Sequence, residues 1–147
     1  MRELLFRAYD KGRKEYLSDE NLFIAINKGT QPNKSEIYLD VICNADKYKE
    51  RFIIEQYTGL TDKSGKKIFE GDIVKNEYRK GQYQSFKIVY NDRLYCWQVE
   101  NKYGMSGFLC NVIGDIEVIG NIHDNSELLK GGEEWWKSYC ANSHIGF

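Results

Sequence analysis

The chain has 147 residues, 41% hydrophobic and 14% aromatic, and a single proline, Pro32. Such a length buries roughly two thirds of its unfolded surface, and eleven tyrosines with seven phenylalanines exclude a disordered chain and favour strands. Lysine and arginine number 21 against 22 acidic residues, and residues 1–67, 68–125 and 126–147 carry +2, −2 and −1, which excludes a broad basic surface for nonspecific nucleic-acid binding.

Residues 2–9 alternate as a first strand, with Leu4, Phe6 and Ala8 on one face and Leu5, Arg7 and Tyr9 on the other. Asp10-Lys11-Gly12 is a turn signal, and residues 15–18 return as a hairpin partner. Residues 22–27 form a short apolar run ending at Lys28-Gly29, read as a strand, followed by a polar loop around Pro32. Residues 36–43 alternate again, with Ile37, Leu39 and Val41 sharing a face. Residues 51–57 read as a further strand, with a helix over 46–56 as the rival reading. The stretch from Tyr57 to Val74 has turn chemistry at Asp62 to Gly65 and a second bend at Glu70-Gly71-Asp72. It launches a strand over 73–78. Four more strands are expected over 86–90, 94–100, 107–112 and 116–122, divided by Arg79-Lys80-Gly81, Asn91-Asp92, Tyr103-Gly104 and Gly114-Asp115. Five short strands at this spacing predict a small barrel or sandwich, and Gly71-Asp72-Ile73-Val74 resembles the opening of the first strand in many SH3-like barrels. Asn125 or Ser126 reads as an N-cap, and residues 133–141 as a short helix carrying Trp135, Trp136 and Tyr139.

The predicted fold is thus mainly β. Residues 1–67 form an N-terminal part of strands and hairpins, residues 68–125 an SH3-like barrel, and residues 126–147 a helical aromatic tail. The first ten residues hold no long apolar stretch, so no secretory signal is expected. No apolar run reaches the roughly 18 residues of a membrane-spanning helix. Cys43, Cys96, Cys110 and Cys140 are scattered and read as reduced thiols of a cytosol.

Three blocks carry a family resemblance. The longest is Gln56-Tyr57-Thr58-Gly59-Leu60-Thr61-Asp62-Lys63-Ser64-Gly65-Lys66-Lys67-Ile68-Phe69-Glu70-Gly71-Asp72-Ile73-Val74. Before it stands Arg2-Glu3-Leu4-Leu5-Phe6-Arg7-Ala8-Tyr9-Asp10, and after it Glu117-Val118-Ile119-Gly120-Asn121-Ile122-His123-Asp124-Asn125-Ser126-Glu127-Leu128-Leu129. Together they resemble the YopX-like family, with Tyr9 where Trp is commoner and Ser126 where Pro is usual. The resemblance covers residues 2–129 and leaves out the tail. It implies a phage or prophage protein of a bacterial host, a mainly β fold with a compact C-terminal barrel, and self-association. It implies no activity, because the family has none to carry over.

Each catalytic or metal-binding motif meets a plainer reading. Gly59 to Lys66 mimics a phosphate-binding loop, but five residues separate its glycines and Lys67 stands where a magnesium-ligating hydroxyl belongs. Cys140 and His144 make half a zinc site that would need Cys110 or His123 from elsewhere. The acidic loop from Asp10 to Asn21 has Gly12 and Asn21 at calcium-ligand positions. His123 has no sequence-adjacent thiol to activate, Cys96 and Cys110 being distant. Asp115 and Glu117 share a strand face, which reads as a solvated one.

Two surfaces remain as candidates. Tyr78, Arg79, Lys80 and Tyr83 put basic and aromatic groups on one hairpin loop, a platform for single-stranded nucleic acid. Trp135, Trp136 and Tyr139 suit either an oligomer contact or a tail that folds back on its own domain. The expectation is a non-enzymatic accessory protein of the bacterial cytoplasm that needs no cofactor or metal. It self-associates as a homo-oligomer and binds an unidentified phage or host protein. The alternative is a nucleic-acid-binding module using the loop from Tyr78 to Tyr83, and a third is an enzyme whose site forms between subunits.

Overall fold

A computed structural model describes residues 4–17, 24–28, 37–41, 51–79, 81–104 and 106–129, the side chains of residues 24–28, 37–41, 78, 79 and 82 excepted. The fold is mainly β, and the chain divides into two compact units, Met1–Tyr57 and Thr58–Phe147. The divide falls within a strand, upstream of the boundary drawn from the sequence after Lys67. Thr58 goes with the second unit, its Oγ1 donating at 2.9 Å to the carbonyl of Ile68 in that unit's core.

In the first unit, β1 (Phe6–Asp10) turns at Lys11 and pairs with β2 (Glu15–Tyr16), setting Tyr9 opposite Tyr16. Their rings meet edge to face at 5.1 Å. A separate antiparallel pair is formed by β3 (Ile24–Lys28) and β4 (Ile37–Val41). The long strand β5 (Phe52–Thr61) runs antiparallel to β1, with Arg7 opposite Glu55 and Asp10 opposite Phe52. Strand therefore prevails over the rival helix for residues 52–56, because the pairing with β1 satisfies their backbone groups; residues 46–50 lie outside the described residues.

In the second unit, the end of β5 carries β6 (Lys67–Phe69), a strand too short to show periodicity in the sequence. Then follow β7 (Asp72–Arg79), β8 (Gln82–Asn91), β9 (Cys96–Glu100), β10 (Ser106–Phe108) and β11 (Ile116–Asn121). They form one antiparallel sheet in the order β10-β9-β8-β7-β11. Ile68, Val74, Phe86, Ile88, Val99, Leu109, Val112, Ile116 and Val118 form its core, with Leu60, Trp97 and Ile113 packed against it. Alternation accounts for most of this set, since Val74 faces Phe86, Ile88 faces Val99 and Val118 faces Val74.

Two expectations are corrected here. The strand expected over 107–112 stops at Phe108 and becomes a 3-10 turn, Leu109–Asn111. Leu109 and Val112 are both buried, and residues three apart share a face in a 3-10 turn but not in a strand. The strand expected from Leu94 begins at Cys96 instead, because Asn91 Oδ1 accepts from the amides of Arg93 and Leu94 at 3.0 Å each and holds residues 92–95 as a turn. At the other end of the sheet sequence, Ser126–Leu128 is a 3-10 turn with Asn125 in the cap position. The Asn125 side chain reaches back instead, and its Oδ1 accepts from the Asn121 amide at 3.3 Å. The helix expected over 133–141 lies outside the described residues.

Candidate functional site

The longest family-like block centres on Asp62, which is buried in the second unit. Its Oδ1 accepts from the Ser64 amide at 2.8 Å, the Ser64 hydroxyl at 2.7 Å and the Lys66 amide at 3.0 Å. Its Oδ2 accepts from the Val118 amide of β11 at 2.9 Å. Burial raises its pKa, but these four donors outweigh it and bring the carboxyl down from 3.8 to about 2. Gly65 completes the bend at φ +88°, where a side chain is strained whatever the space around it. The amides that would cradle a phosphate are therefore occupied by the loop's own carboxylate. Asp72 does a similar job one bend later, its Oδ2 accepting from the Phe69 amide at 2.8 Å.

The first unit has a matching centre. Arg51 grips Asp10 through Nε to Oδ1 at 2.6 Å and Nη2 to Oδ2 at 2.5 Å. Asp10 Oδ1 also accepts from the amides of Gly12 and Arg13, at 2.8 and 3.1 Å. The Arg51 hydrogen bond is the largest cause holding this carboxyl at about 2 rather than 3.8. A Cβ on Gly12 would lie 3.1 Å from Arg51 Nε and 3.2 Å from Asp10 Oδ1, so the close approach suits glycine. With both Asp10 oxygens taken, the first ligand of the calcium-loop reading is already committed. Beside it, buried Glu55 accepts on Oε2 from Arg7 Nε at 2.7 Å and from the Tyr16 hydroxyl at 2.9 Å. The Arg7 guanidinium also lies 4.4 Å from the Tyr16 ring centroid. Sequence reasoning missed this triad because its members are far apart in the chain and meet only through strand pairing.

The remaining candidates are dispersed. Glu117 sits between Lys63 Nζ at 3.3 Å and Lys75 Nζ at 3.2 Å, and hydrogen bonding to Lys75, then Lys63, lowers its pKa. Asp115 is exposed in the turn before it. Cys96 is half-buried in β9 and Cys110 is exposed in the 3-10 turn, while the His123 amide donates to Asn121 Oδ1 in the turn after β11. Among the described residues no group of three or more His, Cys, Asp or Glu could hold a metal ion. Cys140 and His144 lie outside them. No helix among the described residues is long and apolar enough to cross a membrane.

On the hairpin loop, Tyr83 is 55% exposed, with Lys75 Nζ 5.6 Å from its ring centroid. Glu77 Oε1 accepts from the Gly81 amide at 2.7 Å, so the loop also carries an acid. Tyr78 and Arg79 lie at the end of β7, where the register shifts between Glu77 and Arg79; their side chains, and Lys80 altogether, lie outside the described residues, as do Trp135, Trp136 and Tyr139. A feature the sequence reading overlooked is the opposite hairpin tip, where Leu94 is 56% and Tyr95 81% exposed. Tyr95 holds φ at +52°, in a region where the other described tight turns, except that of Lys14, place glycine.

The family described as YopX protein matches residues 5–130. The crystal structure of protein EF1440 from Enterococcus faecalis is 30% identical, and the match covers 88% of this chain and all of that one at a TM-score of 0.53. The crystal structure of protein yopX from Bacillus subtilis is 22% identical, covering 90% of this chain and all of that one at a TM-score of 0.56, and shares the fold. No curated protein matches the chain.

Proposed function

Because this chain belongs to the YopX family, we propose that it acts by binding, as a self-associating accessory protein of phage or prophage origin in the bacterial cytoplasm. One observation carries this reading: the buried aspartates Asp10 and Asp62 of the family-like blocks are spent on the fold. Asp62 holds four donors of its own unit, and Asp10 holds Arg51 and two amides. A general acid or base needs a pKa near working pH and reach to a substrate, and carboxyls at about 2 have neither role to offer. The second unit is read as an SH3-like barrel that presents surfaces rather than a reaction centre. Partners are a second copy of the chain and a phage or host protein.

Light scattering after size exclusion, on the full chain and on a chain ending at Leu129, tests self-association. A full chain several times the mass of one copy, with the shorter one smaller, supports assembly through the tail of Trp135, Trp136 and Tyr139. Monomers in both cases would overturn it.

A second reading, nucleic-acid binding at the loop from Tyr78 to Tyr83, is favoured by exposed Tyr83 with Lys75 beside its ring. It requires salt-sensitive retention on single-stranded DNA that Arg79→Ala with Lys80→Ala abolishes. Unchanged retention in the double variant rules the loop out.

A further inference from the structure

The separate hairpin of the first unit has an unusual division of residues between its faces. Its register sets Ile24 opposite Val41, Ile26 opposite Leu39 and Lys28 opposite Ile37, so one face holds five aliphatic residues and one lysine. The other face holds Ala25 opposite Asp40 and Asn27 opposite Tyr38. Among the described residues no third strand joins this pair. A two-stranded sheet is marginal in water and needs more strands or a packing partner to persist.

The order of residues along β4 says what that partner is. Ile37-Tyr38-Leu39-Asp40-Val41 reads the same in polarity from either end, with Leu39 at its centre. A second β4 laid antiparallel through a two-fold axis at Leu39 sets Ile37 opposite Val41, Leu39 opposite Leu39, and Tyr38 opposite Asp40. Every cross-strand pair is then matched, apolar with apolar and an acid with a phenol. The β3 edge lacks this property, since its own two-fold pairing sets Ile24 opposite Lys28, and a lysine is what protects an open edge. We propose that β4 is a self-pairing edge, through which two copies of this chain merge their hairpins into one four-stranded antiparallel sheet. A two-fold contact uses the same patch on both subunits, which is what a strand of mirrored polarity provides. The proposal rests on the self-association reading above and adds to the tail a second contact surface, the β4 edge.

Two measurements on the full chain test it and separate it from that reading. Light scattering should give an even multiple of one chain's mass, and Leu39→Asp should halve that mass or reduce it to a single chain. A wild-type chain that stays monomeric overturns both the reading and this contact. An oligomer whose mass Leu39→Asp leaves unchanged overturns the contact alone. Because Leu39→Asp can also disturb folding, Leu39→Cys is placed in a background with Cys43, Cys96, Cys110 and Cys140 changed to serine. An added disulfide oxidant then joins two thiols into one bond and takes up the two electrons and two protons. Leu39→Cys should give a species of twice the mass on a non-reducing gel, while Ala25→Cys, on the other strand and face, should not. The reverse pattern, or no cross-link at residue 39, overturns the proposal.

Discussion

The Asp62 carboxylate accepts a hydrogen bond from the Val118 amide at 2.9 Å, across 56 positions of sequence. The same side chain closes its own turn through Ser64 and Lys66. One residue therefore shapes a local bend and pins it to β11, and the block that carries the family resemblance becomes a joint of the second unit.

Removing that joint should be costly. Asp62→Ala strips a buried charge-assisted network and should lower stability by about 3 kcal/mol, judged by net values for hydrogen bonds to charged groups. For a chain of this size that is roughly 6–12 °C in Tm. Thermal denaturation followed by circular dichroism checks it; a fall of under about 2 °C would show the network to be dispensable.

Acid should unfold the protein for a stated reason. The folded pKa of Asp10 and of Asp62 lies near 2, below the ordinary 3.8. Depressed carboxylates contribute stability that is fully present above the unfolded pKa and is lost as pH falls through the folded one. The denaturant midpoint should therefore hold steady down to about pH 5 and decline between there and about pH 2. Arg51→Met removes the largest cause of the Asp10 shift, so that variant should be less stable at neutral pH and lose less on acidification, Asp10 no longer adding to the acid limb. An unchanged acid limb would disprove the assignment.

Two substitutions at left-handed positions should move stability in opposite directions. Tyr95 is 81% exposed and held at φ +52°, so Tyr95→Gly loses little contact and relieves backbone strain. It should raise stability by about 0.5–1 kcal/mol, strain relief exceeding glycine's extra entropy. Gly65→Ala, at φ +88°, should lower it by about 1 kcal/mol. Paired denaturant titrations read both, and a destabilised Tyr95→Gly would mean that the tyrosine packs in the folded chain.

Neighbouring residues at the end of β10 should behave quite differently. Leu109 is fully buried in the 3-10 turn, whereas Phe108 is 36% exposed. Leu109→Ala should cost about 3 kcal/mol, within the range for buried leucines. Phe108→Ala should cost about 1 kcal/mol or less, because less of its side chain leaves water. Equal costs would place the end of β10 elsewhere.

Most strands were legible because a two-residue period marks a strand directly. Residues 37–41 and 116–121 are such cases. Three things were not legible. β6 is too short to show a period. β8 begins at Gln82, ahead of the apolar run, because pairing with β7 buries Gln84 and Ser85 without needing them to be apolar. The turn after Phe108 follows from where the core lies, which no local window contains.

The sequence by itself determined the strand-rich class, the turns at Asp10, Asp62 and Asp72, and membership of a family, since these depend on residues close together in the chain. Tertiary structure alone decided what the charges do. Glu55 meets Arg7 and Tyr16, Asp10 meets Arg51, and Asp62 meets Val118 only because strand pairing brings distant segments within hydrogen-bond range. A carboxylate's role is set by the donors that reach it and the water that is excluded, and both are properties of the folded chain.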